Sequence, residues 1–411
     1  MESASITSKL EELFMNTFER IKFPEWQAQN VKKIEDILIS YYGGEDKLPT
    51  GVKHRLDIGA MLPPLKTGDD LKERQHTVQK AYLENWGADG HVWVRQVNGD
   101  IKPRGLRAKV SVGYRFYEVK ELNEDEVRFL CFLISGQEDW AAEKLVSYLI
   151  ANILTPIWFK QYADSIYDAQ LKHFGSSSGI PNEVISFIKK IRRQAKLLAI
   201  NSIEEHHCYF EENGFPQLEM LISGDLGFYH DGIIQDTTQK TDWFRFLQYL
   251  WMQMFRTKPM RDRTIRKLGI LSSESKTMYQ NIGIRQENLR IQNISDHVLF
   301  FTALEPVEEL WMSKPNLTLI TNKTDVNFIT SEQPVINLNF DYRNSLEIEP
   351  RPILYYPLTP KDAIVINGES CQGKICLTSD EEIDYYNRKI IESQATEFFA
   401  FQKSDLQRYF S

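Results

Sequence analysis

The chain has few cysteines, no long hydrophobic run and no surplus of positive charge, and each lack excludes something. Four cysteines in 411 residues, Cys131, Cys208, Cys371 and Cys376, are too few for a disulfide framework and fit a reducing compartment. Cys131 lies in an apolar helical run, where a thiol behaves as a small hydrophobe. Cys371 and Cys376 can face each other across a glycine-containing turn, but no second pair completes a zinc site. The longest apolar stretch, residues 145–159, is interrupted by Ser147, Asn152 and Pro156 and is too short to span a bilayer. The segment from Met1 to Lys9 is polar and lacks the apolar core of a signal peptide. The expectation is therefore a cytoplasmic protein with no membrane partner.

Motifs are missing as well. There is no Gly-x-x-x-x-Gly-Lys-Ser/Thr phosphate loop, no Gly-x-Gly-x-x-Gly, no His-Glu-x-x-His and no Gly-x-Ser-x-Gly. The commonest triphosphatase, dehydrogenase, zinc-protease and α/β-hydrolase readings fall with them. The formal charge of −8 argues against a general nucleic-acid coat protein. It leaves room for a local basic groove. Lys189, Lys190, Arg192, Arg193 and Lys196 form one candidate; Arg256, Lys258, Arg261, Arg263, Arg266 and Lys267 form another. Both read equally as solvated helix faces.

What is present is an ordinary globular composition, 42% hydrophobic and 26% charged, with a generous 12% of aromatic residues that suit core burial. The length predicts two packed lobes. Leu10, Leu13, Phe14 and Phe18 share one face of a first helix. A second opens at Pro24 and stops at Gly43-Gly44. Residues 45–66 read as loop, 69–87 as helix, and 91–97, 109–112 and 114–119 as strands. Asn123 and Glu126 make a capping-box pattern. The helical middle has breaks near Pro156, Ser176-Ser177-Ser178-Gly179 and Gly214, and Pro181 opens a long helix to about Glu212. Residues 242–256 are apolar around most of the helix circumference, the mark of a central helix. A further helix covers 284–310. Strands follow at 317–321, 327–330, 335–338, 352–357, 363–367 and 398–401, with a capped helix from Ser379 to about Ser393. Segregated helices and strands predict an α+β fold, a helix-rich lobe with a mostly antiparallel sheet.

Several segments, taken in order, resemble a known family. Gln75-His76 followed by Tyr82-Leu83-Glu84-Asn85-Trp86 is similar to its opening signature. Phe116-Tyr117 matches its aromatic pair, and Arg256-Thr257-Lys258-Pro259-Met260-Arg261 its Arg-rich helix end. Phe328-Ile329-Thr330-Ser331-Glu332-Gln333-Pro334-Val335 and Tyr356-Pro357-Leu358-Thr359-Pro360 resemble its strand-turn and Pro-Leu-Ser-Pro motifs, and Asn387 also fits. The family is the bacterial domain of unknown function 4238, and the resemblance covers about residues 70–402. Gln79 stands where the family usually has Pro, and Glu332 where it usually has Asp. The resemblance implies an N-terminal helical extension over 1–66 and a family domain over 67–411, helical at about 120–312, with its sheet from 91–119 and 316–402. It supplies site candidates but no reaction.

Those candidates have two readings each. His76 can be a general base or metal ligand, or a histidine that fixes its loop. Ser331 can be a nucleophile and Glu332 an acid or metal-binding carboxylate at a strand end, or both can serve turn chemistry. Arg256 and Arg261 can anchor a phosphate, or end a helix with an ion pair; Asn387 joins them as a substrate-binding candidate. Glu204 and His207 have half of a di-iron spacing but no second copy, and read as a polar helix face, with Glu205 left to point inward toward His76. The expectation is a hydrolase, nuclease-like, acting on a phosphate-containing substrate, in the setting of a toxin or phage-defence effector. The alternative is a non-catalytic ligand-binding or protein-interaction module. A divalent metal is the cofactor candidate, nucleic acid or another phosphate ligand the partner, and the N-terminal helices a homo-oligomer interface.

Overall fold

The computed structural model describes residues 23–59, 70–106, 110–229, 237–269, 277, 279–313, 315–342, 352–367 and 373–410. The expected first helix, Cys371 and the strand start at Lys109 lie outside them. The chain forms two compact units: residues 1–71, 118–203 and 276–293 make one, and 72–117, 204–275 and 294–411 the other. The sequence places its boundary near residue 66. By contact, the described N-terminal helices belong instead with the helices after residue 118.

The first unit is helical. It holds α1 (Phe23–Tyr42), α2 (Thr50–Gly59), α3 (Glu124–Ser135), α4 (Asp139–Tyr148) and α5 (Thr155–Phe174), with the first half of α6 (Asn182–Ile222). Helix α1 packs on α3 and α5, and α2 on α4. The α2 segment reads as loop in the sequence because Gly51 and Gly59 bracket it. Val52 and Leu56, one turn apart and both buried, supply the apolar side that makes it a helix. The capping box expected at Asn123 and Glu126 forms in full at the start of α3. Pro156 has no N–H to give, and the chain makes a π-helical turn, Leu149–Leu154, before α5 begins.

The second unit is α+β. It continues α6 and adds α7 (Thr237–Phe255), α8 (Lys258–Gly269), most of α9 (Ile291–Met312), α10 (Asp380–Glu392) and α11 (Lys403–Phe410). Helix α7 is buried nearly all round, as its composition predicts: Trp243, Phe246, Leu247, Tyr249, Leu250, Trp251 and Phe255 are all but inaccessible. Among the described residues the strands make three sheets rather than one. The first is a ribbon of β1 (Arg74–His76) with β4 (Val112–Tyr114). The second, in the order β3-β2-β11-β6, joins β2 (His91–Arg95) and β3 (Ile101–Gly105) to β6 (Thr330–Ser331) and β11 (Phe398–Ala400). The third, β10-β5-β9-β8-β7, contains β5 (Leu317–Asn322), β7 (Ile336–Asn337), β8 (Leu354–Pro357), β9 (Asp362–Ile366) and β10 (Gly373–Leu377). Every pair is antiparallel except β10 with β5.

The helix expected over 69–87 shrinks to a short turn, Lys80–Glu84, and β1 occupies its first half. The buried side chain of Gln75 accepts the Tyr117 N–H at 2.6 Å, a tertiary bond no local pattern announces. The strand expected over 114–119 stops at Tyr114, because Arg115 takes a left-handed φ of 46° that ends a pleat. Gly214 does not break α6. It lets α7 approach: a Cβ there would lie 2.2 Å from Cβ of Tyr249. Gly214→Ala is therefore expected to lower stability by roughly 1–3 kcal/mol through overpacking, read as a lower urea midpoint at unchanged slope. An unshifted midpoint would mean that the two helices can part without loss.

Candidate functional site

Of the residues singled out in the sequence, His76 and Arg256 meet. Strand β1 is buried on alternate sides: Arg74 is exposed, Gln75 buried and His76 half-buried. The Nδ1 of His76 is sealed from solvent without a hydrogen-bond partner. Facing it is one side of α6, where Glu204, His207, Cys208 and Glu211 recur at the spacing of a single helix face. Arg256 follows the end of α7. Its Nη1 pairs with Glu211, its Nη2 donates to the backbone carbonyl of His76, and its Nε donates to the Tyr117 hydroxyl at 3.3 Å. That hydroxyl donates in turn to the Arg256 carbonyl at 2.9 Å. The backbone N–H of His76 acts on the Glu204 carboxylate.

The electrostatics follow from burial around a fixed cation. Desolvation lowers the pKa of His76, and the positive charge of Arg256 lowers it further. Glu204 moves the other way: burial raises its pKa, against the pull of Arg256. Its Oε2 is buried and unpartnered. Burial pushes the Tyr117 hydroxyl up to about 12. His207 lies against the Tyr117 ring with 4.6 Å between centroids; burial holds it well below the ordinary histidine value, and its Nδ1 is also unpartnered. Burial, then the charges of Glu204 and Glu211, raise the Cys208 thiol, which keeps it a poor nucleophile. The arrangement offers a neutral imidazole and a carboxyl group biased toward its protonated form, held together at low dielectric.

The remaining candidates make their bonds elsewhere. Ser331 donates to the Gln333 carbonyl at 2.9 Å and accepts the Gln333 N–H at 3.1 Å, which is turn chemistry. Glu332 accepts from the Thr396 N–H at 2.6 Å, the Thr396 hydroxyl at 2.5 Å and the Glu397 N–H at 3.3 Å, tying the turn to the entry of β11. Asn387, fully buried, accepts the Ile329 N–H and donates to the Asn327 carbonyl, both at 2.9 Å. Arg261 grips Asp296 with two nitrogens, donates to the Phe116 carbonyl at 2.5 Å, and stacks 3.3 Å from the Phe116 ring centroid. Glu205 is half-exposed and faces Lys72 at 3.6 Å; the residue that turns inward is its neighbour Glu204. Nor are Glu204 and His207 a polar surface: both are buried.

The second basic stretch is likewise no open groove, since Arg263 is buried under Tyr342, with a nitrogen 3.3 Å from the Ser393 carbonyl. The first is exposed on α6, with Arg192 paired to Asp164 at 2.6 Å. Among the described residues, no group of three His, Cys, Asp or Glu side chains is arranged to hold a metal ion. Around His76, Glu204 and His207 the cation is already supplied by Arg256. None of the described helices is long and apolar enough to cross a membrane.

The chain belongs to the family described as protein of unknown function (DUF4238), which matches residues 74–405, from the first residue of β1 into α11. No curated protein and no solved structure matches it. Glu211 is the cluster member that sequence reasoning left out; Glu204 was read as part of a polar helix face and Tyr117 only as half of an aromatic pair. The signal was the seven-residue spacing of Glu204 and Glu211 on one helix, legible only once its inward face is known.

Arg256→Met should cost about 3–5 kcal/mol, because it leaves the partly buried Glu211 and the His76 carbonyl without their donor. Chemical denaturation measures it. A loss under about 1 kcal/mol would show that the network rearranges around water.

Proposed function

We propose that the protein is a hydrolase acting on a phosphate-containing substrate, with His76 as the general base and Glu204 as the general acid. The supporting observation is the pair of unpartnered, buried polar atoms, His76 Nδ1 and Glu204 Oε2, in one network around Arg256. Native proteins leave few such atoms, and those left ask for a ligand, a water or a proton. In this reading His76 takes a proton from the attacking water, Glu204 gives one to the leaving group, and Arg256 holds the His76 backbone. Arg256 and Arg261, both committed to protein partners, are positioning residues rather than phosphate anchors. The same commitment favours a second reading, in which the cluster stitches the unit together and the protein binds a ligand without turning it over.

His76→Ala and Glu204→Gln separate the two. Against a panel of phosphomonoesters, phosphodiesters, DNA and RNA, each variant should lose at least 100-fold in kcat with unchanged thermal melting. If the protein acts as a toxin or phage-defence effector, its induced expression should slow growth, and His76→Ala should relieve it. The pH–rate profile carries an independent check. A base with a depressed pKa stays active until the pH falls below the ordinary 6.5, and an acid with a raised pKa keeps its proton above the ordinary 4.5. The rate should therefore be bell-shaped with its maximum on the acid side of neutrality. An optimum in the alkaline range, or full activity in both variants, would leave the binding module as the better account.

A further inference from the structure

We infer that the open face of the β1–β4 ribbon, beside His76, binds single-stranded nucleic acid; this rests on the hydrolase reading and narrows its substrate class. The register sets Arg74 opposite Tyr114 and His76 opposite Val112, so these four side chains share one face of the ribbon. Tyr114 is 68% exposed, one of few large hydrophobic residues so placed among those described. Arg74 is exposed and makes no ion pair or side-chain hydrogen bond with any described residue. Arg115 lies over the Tyr114 ring with its guanidinium carbon 5.1 Å from the centroid, and the ring is still largely open to solvent. An uncommitted guanidinium directly across from that exposed ring supplies a phosphate contact and a stacking platform in one step of the ribbon.

Two lysines flank the same place. Lys72 precedes Arg74 by two residues and pairs with Glu205 at 3.6 Å; Lys80 follows His76 by four and pairs with Glu84 at 3.3 Å. Solvent-exposed pairs of this length are weak, so a phosphate can compete with Glu84 for Lys80. The nearest acid on the ribbon, Glu73, is occupied by Arg115 and by the Tyr114 hydroxyl at 3.2 Å, which also steadies the ring. Stacking on Tyr114 requires an unpaired base, and a ribbon with a three-residue edge offers nothing to read a duplex groove; both features select a single strand. With a formal net charge of −8 on the chain, a polyanion needs such a local positive cluster to bind.

Fluorescence anisotropy with the full-length protein tests this, using labelled oligo-dT and oligo-U of about 20 nucleotides and a hairpin duplex at about 50 mM salt. Both single strands should bind more tightly than the duplex. Tyr114→Ala should weaken them roughly tenfold, as the loss of one stacked base predicts. Arg74→Glu should do at least as much and flatten the salt dependence. Both residues are exposed, so melting should not change. Failure of both strands to bind, or equal binding by wild type and both variants, overturns the inference. The two readings fail separately. Binding that needs Arg74 and Tyr114, with no cleavage, supports this surface and removes the hydrolase. Turnover that needs His76, on small phosphates alone and indifferent to Tyr114→Ala, does the reverse.

Discussion

The second unit is organised by one constraint: a guanidinium taken out of water must have every charge and N–H answered. Arg256 is 5% exposed, and its partners come from three places in the chain, Glu211 on α6, Tyr117 beyond β4 and the backbone of β1 at His76. A buried charge without partners costs several kcal/mol, so these segments cannot shift independently. His76 is placed as a consequence: its carbonyl is gripped, its N–H acts on Glu204, and its ring is left at the margin between core and solvent.

The same cation acts, second to burial, on the protonation of its neighbours. Burial alone would make any histidine and carboxyl group neutral. The positive charge then pushes the His76 proton off and works to ionise Glu204, yet burial still wins at the carboxyl group, whose pKa remains raised. A histidine and a carboxyl group thus lie in one network, the first shifted toward its neutral form and the second toward its protonated form. It also explains why the ligand-type side chains here do not amount to a metal site, since a fixed guanidinium already stands among them.

A second group of family-like residues serves architecture. Asn387 joins α10 to the segment that leads into β6 by giving and accepting one hydrogen bond with its backbone, and Glu332 gathers three donors at the entry to β11. Buried backbone groups must be paired, and a side chain that pairs two or three of them at once leaves little room for substitution. Polar side chains at turns and strand ends that pair backbone read in a sequence as site candidates do, which is why Ser331, Glu332 and His76 looked alike before their partners were known.

The sequence by itself determined what depends on neighbours in the chain. The all-apolar α7, the capping boxes of α3 and α10, the α+β segregation and the family signatures are local periodicities and local hydrogen bonds, and all are legible. It marked His76 and Arg256 but missed the acid that joins them by one residue, because Glu204 and Glu205 differ only by about 100° around a helix, and the core-facing side was not known. It read 69–87 as helix where β1 forms, since the bond from the Tyr117 N–H to Gln75 spans 42 residues. Tertiary structure alone decided which acid turns inward, which arginine is committed and which face of the ribbon stays open, because each is the outcome of pairing buried charge between segments far apart in the chain.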